Sequence, residues 1–353
     1  MLLLSLGIHF ACYQVQTVEV NNLKLPPNTV TSPLDQLGKV EQVGTGSVPL
    51  ILLPGVPFTS AIWQGFMQRN ASRYTMYAVS FAGYGDVPPY AIPEGGQYEK
   101  GIWTNAIVDG IIKFVKQNHL VKPIIVGHHL MADTYAIRAA LKEPDLFGGV
   151  LVLSGQIKWP VQVPKDADGN QPPRQPTNKE RESVVYKQMM PFYKTVSKST
   201  FQANQFPATM FSENKTRGAS LHMEEINSSI PVQVQYFLEY MAYDITADFS
   251  KVKAPTLFIA QGMGDFGKFL EQNRELIEKR YGTFDKGKEE IIKQYGGPEK
   301  AIATFAKPMW LDSAMDNKNI KIQVEYGKLV FGFLDHPEWF DKTVRDFVST
   351  IKF

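Results

Sequence analysis

The chain has 353 residues, enough for one large domain with an insertion or for two domains of roughly 100–200 residues each. Hydrophobic residues make up 44% and charged residues 20%, which excludes a disordered chain. Lys+Arg 37 against Asp+Glu 35 leaves a net charge of +2 and no broad footprint for nucleic acid, and a single Cys excludes a disulfide framework, a structural cysteine–zinc site and an iron–sulfur cluster.

The first twelve residues, MLLLSLGIHFAC, have the length of a signal-peptide apolar region and end in small residues before the chain turns polar. They are read as an export signal, with an ordinary strand as the alternative, so the protein is expected to be periplasmic or secreted. Cys12 stands where a lipoprotein signal would be cut and acylated. No apolar run reaches the ~20 residues of a membrane-spanning helix.

From Val48 onward short apolar runs alternate with helical stretches. VPLILLPG (48–55) predicts a buried strand ending in a Pro-Gly turn, and YTMYAVSFAGYG (74–85) a second strand running into a glycine-punctuated loop. IWTNAIVDGIIKFVKQ (102–117) puts Ile107, Ile111, Phe114 and Val115 on one helical face. KPIIVGHH (122–129) is a third strand, residues 130–144 a helix closed by Pro144, and GGVLVLSG (148–155) a fourth strand. Such alternation predicts βαβ units: an α/β fold with a mostly parallel sheet and helices on both faces.

Residues 156–250 begin polar and Pro-rich and then become rich in Met, Phe and Tyr. The α/β rhythm resumes with APTLFIAQGMGD (254–265), a charged helical stretch (269–305), the strand KIQVEY (321–326) and a terminal helix (337–351). The expected organisation is an export signal at 1–12, a core at 13–155, a helical cap at 156–250 and the rest of the core at 251–353.

Taken in order, LLPGVPFTSAIW, SFAGYGDVPP, IIVGHHLMADTYAIRAALKEPDLFGGVLVLSG, PTLFIAQGMGD and DHPEWF resemble the α/β-hydrolase superfamily, and within it an exported esterase-like branch seen in Bacteroidetes. The resemblance covers about residues 47–155 and 250–353. It implies an α/β-hydrolase fold with an inserted cap, and ester hydrolysis by a serine, a histidine and an acid. In that fold the central residue of G-x-S-x-G is lifted over the sheet on a tight strand-to-helix turn. Here the motif reads Gly127-His128-His129-Leu130-Met131, with His129 at the nucleophile position and Met131 where a small residue is usual. The resemblance assigns the oxyanion hole to the backbone N–H groups of Val56 and Leu130. It assigns the acid to Asp265 in Gly262-Met263-Gly264-Asp265, a residue equally at home as a turn or N-cap aspartate.

The base of relatives lies ten residues before the Phe that closes the Pro337-Glu338-Trp339-Phe340 helix start, and here that position is Val330. The base is therefore expected to be lost, with His336 as the alternative if the loop is shortened. Imidazole is itself nucleophilic near neutral pH, its ordinary pKa being ~6.5. His129 is thus a pocket residue held by hydrogen bonds, a nucleophile or base, or a metal ligand. The expected function is a hydrolase-fold protein with lost or altered Ser-His-Asp chemistry and a capped pocket for a small hydrophobic or ester-like molecule, with no cofactor and no metal. The alternatives are an active hydrolase or lyase using His129 with Asp265 and His336, and a structural or partner-binding protein.

Overall fold

The computed structural model describes residues 21–153, 176–203, 205, 207–262, 266–294, 297–299, 301, 316–326 and 330–352. The expected export signal at 1–12, the Pro-rich stretch up to residue 175 and the candidate acid Asp265 lie outside the described residues.

Seven described strands form one sheet in the order β1-β3-β2-β4-β5-β6-β7. They are β1 (Lys39–Val43), β2 (Val48–Leu53), β3 (Tyr74–Ser80), β4 (Ile124–His128), β5 (Gly149–Leu153), β6 (Thr256–Gly262) and β7 (Ile320–Tyr326). Only β1 runs antiparallel, against β3; every other pairing is parallel. Strands covered on both faces read as unbroken apolar runs, and Leu50–Leu53 and Ile124–Val126 are completely buried. Edge strand β1 (KVEQV) is only partly covered, so it carries no such run and nothing in its sequence marked it.

Helices α1 (Gln64–Asn70), α2 (Ile102–Gln117) and α3 (Met131–Lys142) connect the first five strands. On α2, Trp103, Ile107, Ile111 and Val115 recur every fourth residue and are buried. Phe114 sits at the edge of that stripe with its ring 5.3 Å from Tyr77. Between β5 and β6 the chain forms α4 (Asn178–Val184), α5 (Met190–Thr195), α6 (Lys198–Ala203), α7 (Lys215–Asn227) and α8 (Ile230–Ala242). A capping box between Thr177 and Glu180 starts α4, and the Asn214 side chain caps α7. Helix α8, IPVQVQYFLEYMA, is apolar nearly all round and buried along most of its length, as such a helix must be.

The charged stretch after β6 is not one helix. It divides into α9 (Phe266–Gln272), α10 (Arg274–Tyr281) and α11 (Phe284–Gln294), broken at Asn273 and at Gly282, whose φ of 86° ends α10. These three helices close on a small core of their own around Leu270, Ile277 and Ile291. Short α12 (Gly332–Asp335) and terminal α13 (Pro337–Ser349) follow β7.

Each face of the sheet has its core. One combines α1, α13 and the Phe331–Phe333 segment with Phe211 and Leu221 of the inserted region. The other combines α2 and α3 with Val232, Tyr236 and Tyr240 of α8, so inserted helices and sheet share one apolar interior. A polar tie reinforces it. The first-turn N–H groups of α2 have no intrahelical acceptor and Gly101 offers no capping side chain. Glu239 of α8 supplies one: Trp103 N–H and Thr104 N–H donate to its carboxylate at 3.0 and 2.8 Å, joined by Thr104 Oγ1 at 2.8 Å and Gln235 Nε2 at 2.9 Å.

Candidate active site

Because β2 to β7 are parallel, their carboxyl ends lie at one edge of the sheet, where ligands of open α/β sheets bind. The turn after β4 is the elbow. His129 and Leu130 both adopt left-handed backbone, with φ of 61° and 47°, and Leu130 has ψ of −113° before α3 begins at Met131. Neither side chain tolerates that conformation freely; such residues carry roughly 1–3 kcal/mol of strain and persist only where packing enforces them. The enforcement is visible. His129 N–H donates to Leu153 O at 3.0 Å. A Cβ on Gly127 would stand 2.6 Å from Ala132 O, so strand and helix meet where only glycine fits. The tip of the turn, one residue before the helix, is Leu130.

The Pro54-Gly55-Val56 turn presses on the elbow from β2: a Cβ on Gly55 would stand 2.8 Å from His128 O and 3.0 Å from His129 Cβ. The structure thus brings Val56, His129 and Leu130 together. All three are buried, His129 being only 6% exposed.

His128 is completely buried, its ring 5.8 Å from that of His129. Its Nε2 lies 3.0 Å from Val330 O. A carbonyl only accepts, so Nε2 carries the proton and Nδ1 is the lone-pair nitrogen. Nδ1 has no hydrogen-bond partner among the described residues. Rings of Phe331 and Phe333 stand 4.7 and 4.9 Å away. Burial in this aromatic box pushes the imidazole pKa down to about 4, so His128 is neutral at physiological pH.

Val330, at the position expected for the base, buries its side chain and offers its backbone instead. Its carbonyl holds His128, and its N–H donates to Met210 O at 3.2 Å, followed by Phe331 N–H to Phe211 O at 2.9 Å. His336 lies at the start of α13, its side chain 37% exposed, with Nε2 2.7 Å from Glu213 Oε1. Next to it Asp335 takes Arg217 Nη1 at 2.7 Å and Ser212 Oγ at 2.5 Å. The polar partner of His336 is thus Glu213, in the segment leading into α7, whereas His129 is packed against the Gly55 turn.

Three acidic or phenolic groups that no sequence pattern singled out are also buried. Asp133, on the first turn of α3, is completely buried; the N–H groups of His129 and Leu153 draw its pKa down, but burial dominates and raises it well above the carboxylate range. Neither oxygen closes a hydrogen bond of good geometry. Tyr84, after β3, and Glu225, on α7, are buried as well. Tyr84 stands inside the SFAGYG segment and Glu225 inside HMEEIN; the fold buries both. Among the described residues no group of three or more His, Cys, Asp or Glu side chains could hold a metal ion, and no helix is long and apolar enough to cross a membrane. Surface grooves of about 530 Å³ beside α4 and about 450 Å³ between β7 and α13 are lined by no elbow residue.

No protein-family model matches the chain, and no curated protein matches it. Solved structures do. The esterase of Exiguobacterium antarcticum matches with a TM-score of 0.57 at 15% identity, over 88% of this chain and 95% of its own. A thermophilic esterase from Thermogutta terrifontis matches with 0.55 at 14%, over 89% and 93%. A hydrolase from Oleispira antarctica matches with 0.55 at 10%, over 91% and 99%. Identities this low speak for the fold alone. Together with the seven-stranded, mostly parallel sheet and its flanking helices, they show that this chain has the α/β-hydrolase fold.

Proposed function

We propose that this chain is an α/β-hydrolase-fold protein without Ser-His-Asp hydrolysis, which encloses a small hydrophobic or ester-like molecule beneath α7 and α8. One observation carries the first half. Serine-type catalysis needs a hydroxyl on the strained tip of the elbow and a histidine after the last strand to take its proton. Here the strained turn carries the side chains of His129 and Leu130, neither of them a hydroxyl, and Val330 spends its carbonyl on His128. The ligand half is supported by the Tyr84 hydroxyl and Glu225 Oε2, which are buried and close no hydrogen bond among the described residues, and by the substrate class of the neighbours named as esterases.

The test is turnover of p-nitrophenyl acetate. The natural chain and its His129→Ala variant are expected to release p-nitrophenol at the same background rate. A rate that falls tenfold or more in His129→Ala and in Asp265→Asn would overturn the proposal. The chain would then be an active hydrolase built on His129 and Asp265, and His336→Ala would decide whether the third residue takes part.

A further inference from the structure

Strand β7 ends the sheet on one side, and among the described residues no strand pairs with its outer edge. It is seven residues long, IKIQVEY, keeps an unbroken parallel register with β6 and contains neither proline nor glycine. An open edge of that kind is a template for another strand; a bulge, a proline or a very short strand is a common protection. None of these three is present in β7.

The hydrogen bonds fix which groups look outward. Thr256 N–H donates to Asn319 O at 2.8 Å. Odd-numbered residues of β7 therefore turn their N–H and C=O groups toward β6, and even-numbered ones turn them away. Ile320 N–H closes on Asn317 O at 2.9 Å, whereas among the described residues no bond from outside the sheet reaches the backbone of Ile322 or Val324.

The side chains alternate too. Ile322 and Val324 lie on the α2 and α3 side of the sheet and are only half-buried there. Lys321, Gln323 and Glu325 face α13 and line the groove of about 450 Å³ between that helix and the strand. Trp339 Nε1 and Gln323 Nε2 both donate to Glu325 Oε1, at 3.1 and 2.5 Å, and so hold its carboxylate, while Lys321 is exposed.

This strand is its own complement. Laid antiparallel on a second β7 with Gln323 at the two-fold axis, Lys321 comes opposite Glu325 and Ile322 opposite Val324. Ile322 and Val324 are the residues whose N–H and C=O groups point outward, so each such pair closes both of its bonds. Lys321 and Glu325 then fall in the rows between, where side chains approach most closely and opposite charges stabilise the pairing. Sliding the register by two residues sets Gln323 against Lys321 or against Glu325 and loses both ion pairs. An axis normal to the sheet also leaves α13 of both copies on one face. The exposed Lys342 and Asp346 of that helix already pair with each other at 2.5 Å, so two copies meet there without net repulsion.

We propose that β7 is a homodimer interface: two copies of this chain join edge to edge through antiparallel β7 strands, with Lys321 of each opposite Glu325 of the other. The inference goes beyond the proposed function and is independent of it.

Sedimentation velocity of the full chain over a range of concentrations is expected to show a monomer–dimer equilibrium, and hydrogen exchange at the Ile322 amide should slow as dimer forms. Val324→Pro removes an outward N–H that β6 does not use; the variant should fold, as circular dichroism checks, and dimerise about tenfold more weakly or worse. Lys321→Glu and Glu325→Lys each set like charges opposite and should weaken self-association about tenfold. An equimolar mixture of the two restores opposite pairs and should dimerise within about threefold of the natural chain. In a Cys12→Ser background, Gln323→Cys should cross-link on mild oxidation, because this row brings Cα atoms to about 4.5 Å, and Ile322→Cys should not. A chain still monomeric at about 0.1 mM would overturn the proposal. So would a dimer as tight in folded Val324→Pro as in the natural chain, a mixture no tighter than its components, or a Gln323→Cys that fails to cross-link. Protection of the Ile322 amide that does not depend on concentration would overturn it as well, since the edge would then be covered by its own chain.

Discussion

Replacing Glu239 should cost more stability than any exposed carboxylate of the chain. Glu239→Ala removes four hydrogen bonds at once and leaves the N–H groups of Trp103 and Thr104 buried at the start of α2, where Gly101 provides no substitute. Each orphaned buried donor costs about 1–3 kcal/mol. Against that stands the desolvation of the carboxylate itself, which is strong enough to raise its pKa despite the N–H donors and which the variant no longer bears. The net loss is about 2–4 kcal/mol. Glu239→Gln retains one acceptor oxygen but turns an NH₂ toward the remaining donors, so it should fall between the natural chain and Glu239→Ala. Urea unfolding followed by tryptophan fluorescence gives the midpoints, and hydrogen exchange at Trp103 and Thr104 shows whether the loss is local to α2. A loss under about 0.5 kcal/mol in Glu239→Ala, or unchanged exchange at both amides, would refute the claim that this carboxylate joins α8 to the core.

At the elbow, Leu130→Gly should be more stable than Leu130→Ala by about 1–3 kcal/mol, the strain of a side chain at φ 47° and ψ −113°; both variants lose the same leucine contacts, so equal urea midpoints would mean the turn is unstrained. Glu225 has a folded pKa of about 8 against an ordinary 4.5. A raised carboxylate pKa means that its contribution is whole below pH 4.5 and is lost as pH rises through 8. At about 1.4 kcal/mol for each pH interval of one between those two values, the loss amounts to a few kcal/mol. Glu225→Gln lacks this titration, so its stability relative to the natural chain should improve between about pH 5 and pH 9; a constant difference across that range would contradict the burial of Glu225.

Strands β2 to β6 were legible because a strand covered on both faces leaves an apolar run, and edge strand β7 (IKIQVEY) because its apolar residues alternate with polar ones. Strand β1 left no such mark, and the division of the charged stretch after β6 was visible only as Gly282. The Gly127–Met131 motif falls on the tight turn between β4 and α3. The residue type did not disclose that the left-handed turn takes two residues and ends at Leu130, since neither histidine nor leucine favours positive φ. The sites that most shape the proposals are further still from local pattern. Glu239 reaches Trp103 across 136 positions, and His128 reaches Val330 across 202. Glu225 belongs to a helix with charges along it, and its burial shows only in the fold. Such pairings follow from the order in which strands join the sheet.

The common interior of α2, α3 and α8 also bears on how this chain can be engineered. A lid that rests on a finished core can be cut out or exchanged between relatives. Here excision of the helices between β5 and β6 would uncover the apolar stripe of α2 and strip its first turn of Glu239. The remainder would present a broad greasy face of the kind that drives aggregation. Grafting the insertion of an esterase with the same fold into this sheet meets the same obstacle, because the donor helices would have to reproduce the contacts of Val232, Tyr236 and Tyr240. An exchange of the insert therefore succeeds only if α2 and α3 travel with it.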